Sequence, residues 1–427
     1  MNIESMARKA KEAALAIGMA KTASKNKALE EIAISIQKNS NKLINENRKD
    51  VTEAKKSNLN SALLKRLVLD NGKIKEIISM VRGIIELEDP VGKTTEEMEL
   101  DKGLNLRKIT VPIGVIGAIF ESRPDAVVQI ACLCIKSGNA VILKPGSEAM
   151  NTSRELVEII KKSLEKEKLP ADAVQLIETR EGVKEMLKMH DHIGLLIPRG
   201  SGSFVKYIQE NTKIPVLGHA EGICHVYVDK DADMKKAVEI CYDAKCQYPA
   251  VCNAMETLLV HKDIAKKFLP LIARKFKEAS VELRGDRETK KIVKNINDAS
   301  EKDWKTEYND LILSIKIVND LDEAIGHINE YGSKHTDAII TENTETANIF
   351  MASVDSSSVL HNCSTRFADG FRYGKGAEVG ISTSKIHGRG PLGMEGLVIY
   401  KYLLKGSGQI VRDYAEGKKH FTHRRIK

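Results

Sequence analysis

The chain has 427 residues, of which 42% are hydrophobic and 30% charged. This length and apolar content exclude a disordered protein and predict two or three domains with a large buried core. No stretch of about 18 apolar residues occurs, which excludes a membrane-spanning helix. The seven cysteines form no CxxC pair, and no secretory signal is visible, so we expect free thiols and a cytoplasmic protein.

The formal net charge is +8 at pH 7, and much of it lies at the end of the chain. Residues 416–427 hold five Lys or Arg and one Glu, so we expect a frayed basic tail over residues 413–427. Nucleic-acid binding through this tail is the alternative. It is disfavoured because aromatic residues make up only 4% of the chain, and single-strand binding usually requires aromatic stacking.

Taken in chain order, residues 1 to about 90 have apolar residues three to four apart, which predicts helices. A strand is predicted over 104–111. Next come a short apolar run at 113–120, a helix beginning near Pro124, and a strand over 140–143. Another helix follows, with Thr152 and Glu155 at capping-box spacing. This order predicts a right-handed βαβ unit.

The alternation of strands and helices continues to about residue 360. Strands are predicted over 174–177, 193–197, 216–217, 225–228 and 256–260, with helices beginning near residues 202 and 232. A loop over 247–253 separates the second of these helices from the next strand. The simplest interpretation is two doubly wound α/β domains in tandem.

Lys144 lies at the carboxyl end of a predicted parallel strand, where open α/β sheets gather their ligands. Pro145 and Gly146 allow a sharp turn, so that the Lys144 ammonium and the Ser147 hydroxyl can converge on a ribose or phosphate. A solvated surface lysine at a strand end is the alternative.

Cys252 lies in the loop between a predicted helix and a strand, within Gln247-Tyr-Pro-Ala-Val-Cys-Asn253. A catalytic thiol requires partial exposure and a pKa depressed from about 8.5 towards neutrality. Such a loop offers free backbone N–H groups to a thiolate or an oxyanion. Three other cysteines lie in helical patterns and are interpreted as core packing: Cys132, Cys134 and Cys241. The roles of the remaining three are undecided: Cys224, Cys246 and Cys363.

The segment 367–393 is rich in Gly, Arg and Lys and has no apolar periodicity. It is either a functional loop suited to an anionic substrate or a flexible surface loop. It ends in Gly388-Arg-Gly-Pro-Leu-Gly393, which matches the dinucleotide fingerprint literally. We reject this match, because no apolar strand precedes it and Pro391 lacks the N–H that would face a phosphate.

Four segments, 111–149, 217–238, 247–261 and 364–410, together resemble the glutamyl-phosphate reductases, a branch of the aldehyde dehydrogenase superfamily. The resemblance runs in register from about residue 5 to residue 413. It implies two doubly wound α/β domains of aldehyde dehydrogenase type and a small β oligomerisation flap. The implied parts are an NADP-binding domain (1–99 and 112–222), a catalytic domain with a cysteine nucleophile (223–395), oligomerisation strands (100–111 and 396–412) and the basic tail (413–427).

The resemblance also implies roles for individual residues. Cys252 matches the nucleophile, Lys144 the lysine that holds the adenosine ribose, and Glu307 the glutamate that orients the nicotinamide ribose. Ser147 falls where NAD-preferring relatives often carry Glu, which favours NADP because a serine does not repel a 2′-phosphate. Arg199, Gly200 and Ser201 match the turn beside the pyrophosphate more loosely.

Two positions depart from the wider superfamily. The glutamate that activates water in hydrolytic aldehyde dehydrogenases falls here on Gly218, beside His219. This fits a reductase that must protect its acyl enzyme, although Glu221 could replace the missing base. The side-chain amide of the oxyanion hole is replaced around Ser122, which leaves the Cys252 backbone N–H as the donor.

The implied reaction is NADPH-dependent reduction of L-glutamyl 5-phosphate to L-glutamate 5-semialdehyde and phosphate, through a cysteine thioester, in proline biosynthesis. Arg123 and Arg366 are candidates for binding substrate anions, since guanidinium pairs with carboxylate and phosphate in a bidentate manner, and Asn362 for the amino-acid part. A homo-oligomer, coupling to glutamate 5-kinase and no metal are expected. The alternative function is a hydrolytic NAD(P)-dependent aldehyde dehydrogenase.

Overall fold

The structure, a computed structural model, describes residues 2–179 and 181–427, without the side chains at 61 and 62. The helices are α1 (Ile3–Gly18), α2 (Thr22–Lys38), α3 (Ser40–Lys56), α4 (Ser61–Leu67), α5 (Asn71–Glu86), α6 (Pro124–Lys136), α7 (Met150–Lys166), α8 (Glu181–Met186), α9 (Gly202–Glu210), α10 (Met234–Cys246), α11 (Lys262–Glu278), α12 (Arg287–Ile292), α13 (Leu321–Tyr331), α14 (Thr344–Ser353) and α15 (Val411–Ala415). The strands are β1 (Thr94–Asp101), β2 (Leu104–Pro112), β3 (Val115–Phe120), β4 (Ala140–Pro145), β5 (Val174–Leu176), β6 (Leu195–Arg199), β7 (Cys224–Val228), β8 (Met255–His261), β9 (Glu282–Gly285), β10 (Asn297–Asp298), β11 (Ile312–Val318), β12 (Thr336–Ile340), β13 (Ser358–His361), β14 (Gly380–Ser382), β15 (Gly390–Leu392), β16 (Val398–Lys405) and β17 (Arg424–Arg425).

The chain divides into two compact units. The first comprises Met1–Gly200, Tyr207–Val216 and Gly393–Lys427, and the second Ser201–Lys206 and Leu217–Leu392. The domain boundaries predicted from the sequence, and the roles assigned to each domain, stay predictions. No helix in the described part of the chain combines the length and apolar character that crossing a bilayer requires.

The first unit contains a parallel sheet of order β5-β4-β3-β6. Every residue of β3 and β4 is buried, as expected for a parallel sheet covered on both faces. Helix α6 begins with Pro124 in its first turn, a position where the missing N–H of proline is harmless. These elements confirm the predicted βαβ unit.

The predicted capping box of α7 does not form. The carboxylate of Asp50, in α3, accepts the backbone N–H groups of Asn151 and Thr152 at 3.1 and 2.8 Å and the Thr152 hydroxyl at 2.6 Å. A buried carboxylate from another helix therefore satisfies the free donors at this N-terminus, and sequence spacing within one helix does not predict such a partner.

A second sheet of the first unit is antiparallel, with the order β16-β2-β1-β17. It contains the predicted flap strands, as β2 and β16, and two strands that we did not predict, β1 and β17. The basic tail is paired rather than frayed: Arg424 lies opposite Glu99 in the ladder and forms an ion pair with it at 2.7 Å. The acidic side chains of β1 thus attract the basic end of the chain, in a pairing between residues too distant in sequence for local patterns to predict.

The second unit contains a seven-stranded parallel sheet of order β10-β9-β11-β8-β7-β12-β13. Helices α10 and α11 pack on it through a buried apolar cluster that includes Cys241, Phe268 and Phe276. The two parallel sheets confirm the predicted α/β class. The predicted strand over 216–217 is reduced to one bridge between Leu196 and Val216.

The Gly-rich segment 367–393 contains the short antiparallel pair β14 and β15 and is otherwise irregular. Residues 390–392 of the rejected fingerprint form β15, in that antiparallel pair. This is not the parallel strand and helix that a dinucleotide fingerprint requires.

Candidate active site

The chemistry-bearing residues of the second unit converge at the amino edge of its sheet. Four segments lead into neighbouring parallel strands: the one with Gly222 precedes β7, the loop with Cys252 precedes β8, Glu307 precedes β11 and His335 precedes β12. Parallel strands begin at a common edge, so these residues meet although they are far apart in sequence. The general expectation that ligands gather at carboxyl ends does not locate this site.

Cys252 is half-buried, in the turn between α10 and β8. Its carbonyl accepts a hydrogen bond from the Cys224 thiol, with a sulfur–oxygen distance of 3.1 Å. The backbone of Gly222 packs directly on it, because a Cβ at Gly222 would lie 2.1 Å from the Cys252 oxygen and 2.4 Å from its Cα. Any side chain at residue 222 would therefore displace the cysteine turn.

The environment of Cys252 raises the pKa of its thiol, whereas a catalytic thiol was expected to have a depressed pKa. Burial raises the pKa of the Cys252 thiol to about 12, and the carboxylates of Glu307 and Glu378 act in the same direction. The backbone N–H of Cys252 and the Arg366 guanidinium act the other way. The ligand-free protein therefore keeps this sulfur as a thiol, and its ionisation requires a proton acceptor or a cation.

Glu307 lies close to the same turn and accepts hydrogen bonds from the Gly222 N–H and the Asn309 side chain. Burial raises its pKa above the ordinary value, and Glu221 adds to this effect. Glu221 itself is exposed, whereas Gly218 is buried. Gly218 has no side chain, so position 218 carries no carboxylate.

Two histidines adjoin the thiol. The ligating atoms of His219, Cys252 and His335 all lie within 4.8 Å of one another, and the imidazole rings of the two histidines meet edge to face with centroids 4.8 Å apart. His219 Nδ1 lies 3.0 Å from the carbonyl oxygen of Ile381. A carbonyl only accepts hydrogen bonds, so Nδ1 of neutral His219 carries the proton and Nε2 carries the lone pair.

Arg366 also belongs to this group. Its side chain is only 7% exposed, and its Nε donates to Gln247 Oε1 at 3.0 Å, at the end of α10. The charge of the thiolate and that of the guanidinium influence each other. The structure therefore brings together Cys252, Glu307 and Arg366 of the predicted site residues.

A buried ion pair holds the cysteine turn between its two elements. Lys245 Nζ, in the last turn of α10, lies 2.6 Å from Glu256 Oε2 in β8, and both side chains are fully buried. Glu256 also accepts the backbone N–H of Asn309 at 3.2 Å. Burial raises the pKa of Glu256 to about 7, while Lys245 opposes this effect.

In the first unit, the remaining candidates gather at the carboxyl edge of the four-stranded sheet. Lys144 is opposite Ile119 in the ladder, and Arg199 is opposite Phe120. The buried Lys144 ammonium donates to the Pro145 carbonyl at 2.5 Å, and Arg199 donates to Gln129 at 3.3 Å. This arrangement has the geometry expected of a ligand-binding sheet edge.

Ser147 is exposed at this edge, and its neighbour Glu148 is engaged elsewhere. Glu148 accepts both the backbone N–H and the hydroxyl of Ser122, each at 2.6 Å. Ser122 has φ +42°, in the left-handed region, and these two bonds hold it there. Arg123 follows and pairs with Asp125 at 2.8 Å.

Gly200 ends the turn after β6, and Ser201 precedes α9. The Ser201 carbonyl accepts the backbone N–H groups of Phe204 and Val205, and the Ser201 hydroxyl lies 3.2 Å from that of Ser203. The first turn of α9 therefore begins at the predicted serine-rich turn.

Asn362 is not brought together with Cys252. It follows β13 and lies at the carboxyl edge of the sheet. A five-residue strand such as β12 is about 16 Å long, and this length separates the carboxyl edge from the amino edge. Its amide accepts the Thr341 N–H at 3.0 Å and donates to the Thr341 carbonyl at 2.9 Å. These bonds stabilise the left-handed backbone of Asn362, which has φ +54°. The need to stabilise this turn accounts for an asparagine at position 362.

Three residues of this group were missed by sequence reasoning: His335, Glu378 and Lys245. His335 has no neighbouring motif, Glu378 lies in the segment 367–393 without being singled out there, and Lys245 falls between the predicted helix and the loop 247–253. One signal was available in the sequence: His335 directly precedes a strand, as the Cys252 loop does. Once the strand order is known, this position places both residues at the amino edge of the sheet.

The chain matches the model of the aldehyde dehydrogenase family over residues 1–308. It is 57% identical over 426 residues to a gamma-glutamyl phosphate reductase of Pelotomaculum thermopropionicum, covering 100% of this chain and 98% of that one. The crystal structure of a gamma-glutamyl phosphate reductase from Thermotoga maritima superposes with a TM-score of 0.94 at 40% identity, covering 96% of this chain and 100% of that one. A glyceraldehyde-3-phosphate dehydrogenase from Methanocaldococcus jannaschii, complexed with NADP, has a TM-score of 0.64 at 17% identity over 95% and 94% of the two chains, a likeness of fold alone.

Proposed function

Because the chain belongs to the aldehyde dehydrogenase family, and within it to the gamma-glutamyl phosphate reductases, we propose that it reduces L-glutamyl 5-phosphate to L-glutamate 5-semialdehyde and phosphate with NADPH. The reaction proceeds through a thioester on Cys252 and serves proline biosynthesis in the cytoplasm. The observation that carries this proposal is the half-buried thiol of Cys252 beside His219, with no carboxylate at position 218.

The first step forms the bond between Cys252 Sγ and the acyl carbon and breaks the bond from that carbon to the phosphate oxygen. With a pKa of about 12, the thiol must lose its proton as it attacks. His219 belongs to the same cluster and its Nε2 carries the lone pair, so we assign the proton to this histidine. The Cys252 backbone N–H then stabilises the oxyanion.

A nicotinamide cofactor, when bound, would supply the hydride that reduces the Cys252 thioester. The residues at the carboxyl edge of the first sheet fit a dinucleotide: Lys144 would hold the adenosine ribose, Arg199 offers positive charge to the pyrophosphate, and Ser147 offers an uncharged hydroxyl. Gly200 and Ser201 would support the adjoining turn, and Glu307 would hold the nicotinamide ribose. The Cys252 sulfur leaves as the aldehyde forms, which regenerates the thiolate.

Arg366 and Arg123 are our candidates for substrate anions. Arg366 is favoured because it influences the charge of Cys252 directly. Asn362 is left out, because its amide is used within its own turn. A homo-oligomer and coupling to glutamate 5-kinase remain part of the proposal, and neither affects the chemistry at the thiol.

The reverse reaction tests the proposal. We expect pyrroline-5-carboxylate, the cyclised semialdehyde, to reduce NADP only when phosphate is present, since phosphate must resolve the thioester. Cys252→Ala abolishes this turnover and retains NADPH binding, measured by nucleotide fluorescence. The matched control is Cys246→Ser, which changes another half-buried thiol six residues earlier and keeps turnover.

Two results would overturn the proposal. Phosphate-independent turnover would identify a hydrolytic aldehyde dehydrogenase, and turnover by Cys252→Ala would show that another group is the nucleophile.

A further inference from the structure

His219, Cys252 and His335 lie together at the amino edge of the seven-stranded sheet, with ligating atoms within 4.8 Å of one another. His219 precedes β7, Cys252 precedes β8 and His335 precedes β12, and β7 lies between the other two strands. Two imidazoles and one thiol form a donor set that favours borderline-soft cations over Mg²⁺ or Ca²⁺.

The orientation of both imidazole rings is held by protein oxygens. His219 Nδ1 is 3.0 Å from the Ile381 carbonyl, and His335 Nδ1 is 2.8 Å from Thr336 Oγ1. Metal-binding histidines characteristically donate their second ring N–H to such an oxygen, which leaves the other nitrogen for the metal. In both histidines that other nitrogen is Nε2. The Ile381 carbonyl fixes this for His219, and for His335 it holds when Nδ1 donates to the Thr336 hydroxyl.

An unsatisfied atom points to the same conclusion. His335 is fully buried, and its Nε2 has no hydrogen-bond partner among the described residues. A buried polar atom without a partner costs free energy, so its retention beside a thiol and a second imidazole needs an explanation. A cation would satisfy it.

We propose that His219 Nε2, Cys252 Sγ and His335 Nε2 form a binding site for a thiophilic divalent cation, with Zn²⁺ as the best fit. Zinc bonds of about 2.0–2.3 Å place tetrahedral ligands about 3.5 Å apart, and the three residues already have ligating atoms within 4.8 Å of one another, so binding requires only a small closure of the site. His219 and Cys252 are both half-buried, which gives the ion an entry and leaves a fourth position for water.

The charge balance of the site suits a cation. On binding, Cys252 releases its proton to solvent and becomes a thiolate ligand, so that the Zn²⁺–thiolate centre carries a charge of +1. The carboxylates of Glu307 and Glu378, which act on this sulfur, compensate that charge. The same two groups that oppose a bare thiolate therefore favour a metal-bound one.

The consequence for activity depends on the proposed function, whereas the binding itself does not. If Cys252 is the nucleophile, bound Zn²⁺ occupies the electron pair that attacks the substrate. Zn²⁺ would then inhibit the enzyme, and a chelator would restore activity.

Cobalt replaces zinc as a spectroscopic probe in the test. We expect metal-free, untagged protein to bind one Co²⁺ per chain with intense thiolate-to-cobalt absorption in the near ultraviolet, and Zn²⁺ to displace it. Cys252→Ser loses this absorption, and Cys246→Ser keeps it. His219→Gln and His335→Gln each weaken binding at least tenfold.

Three outcomes would overturn the site: Co²⁺ binding without thiolate absorption, absorption that survives in Cys252→Ser, or unchanged affinity in His219→Gln. Circular dichroism establishes that each variant is folded. If the buried His335→Gln does not fold, the half-buried His219→Gln decides. Metal binding with turnover in Cys252→Ala would refute the proposed function alone, while cysteine-dependent turnover without Co²⁺ binding would refute the metal site alone.

Discussion

The thiol of Cys252 combines a position suited to catalysis with surroundings that oppose its ionisation. Its pKa of about 12 results first from burial and then from Glu307 and Glu378, and Arg366 only partly offsets them. These surroundings therefore favour the thiol over the thiolate at neutral pH. This is a property of single residues and is measurable without any assay of turnover.

Alkylation of Cys252 by iodoacetamide should accelerate about tenfold per pH unit from pH 7 to pH 10 without reaching a plateau, because only the thiolate reacts and the pKa lies above this range. Mass spectrometry of the 247–261 segment measures the rate. An ordinary thiol reaches its plateau above about pH 9.5, so a plateau there would contradict the assigned environment.

Two substitutions should move this rate in opposite directions at pH 9. Glu307→Gln removes a carboxylate and accelerates alkylation by roughly three- to tenfold, and Arg366→Gln removes a cation and slows it by a similar factor. Equal rates in both variants would show that burial alone controls the thiol.

At the scale of elements, the turn that carries Cys252 is held by its neighbours rather than by its own sequence. The buried pair of Lys245 and Glu256 joins the end of α10 to β8, on either side of the turn. Gly222 packs beneath the cysteine, and Glu307 binds the Gly222 N–H. Three segments therefore position one sulfur.

Lys245→Met should destabilise the protein by about 3–5 kcal/mol, because it leaves the Glu256 carboxylate buried without its partner. Adding Glu256→Leu should recover most of this loss, since the unpaired charge is then absent. Urea denaturation measures both. The exposed pair of Lys188 and Glu185 provides the control: Lys188→Met should cost less than about 1 kcal/mol. If Lys245→Met costs no more than this control, the buried pair does not stabilise the turn.

At the scale of the whole molecule, buried histidines link stability to pH. His327 is 3% exposed, and burial lowers its pKa from 6.5 to about 2, with His225 and Lys316 adding to the effect. The unfolded chain protonates this imidazole below pH 6.5, and the folded chain does not. The unfolded state thus binds more protons, and stability is lost as the pH falls below 6.5.

The wild-type protein should therefore lose about 1.4 kcal/mol more unfolding free energy between pH 7.5 and pH 5.5 than His327→Gln, which cannot titrate. Urea denaturation at the two pH values measures the difference. His190→Gln, at an exposed histidine, should behave as the wild type. Equal pH dependence in His327→Gln and the wild type would show that this side chain is protonated in the folded state.

The sequence by itself determined the α/β class, the βαβ unit from β3 to β4, the loop position of Cys252 and the resemblance that identified the family. These depend on local patterns: apolar periodicity, turn residues and contiguous motifs. Only the tertiary structure decided which loops meet. The strand order brings Cys252, Glu307 and His335 to one edge of the sheet and Asn362 to the other. Asp50 binds a helix terminus about a hundred residues away, and Glu99 binds Arg424, 325 residues away. Such contacts arise because folding pairs surfaces that are distant along the chain, and no local pattern records that pairing.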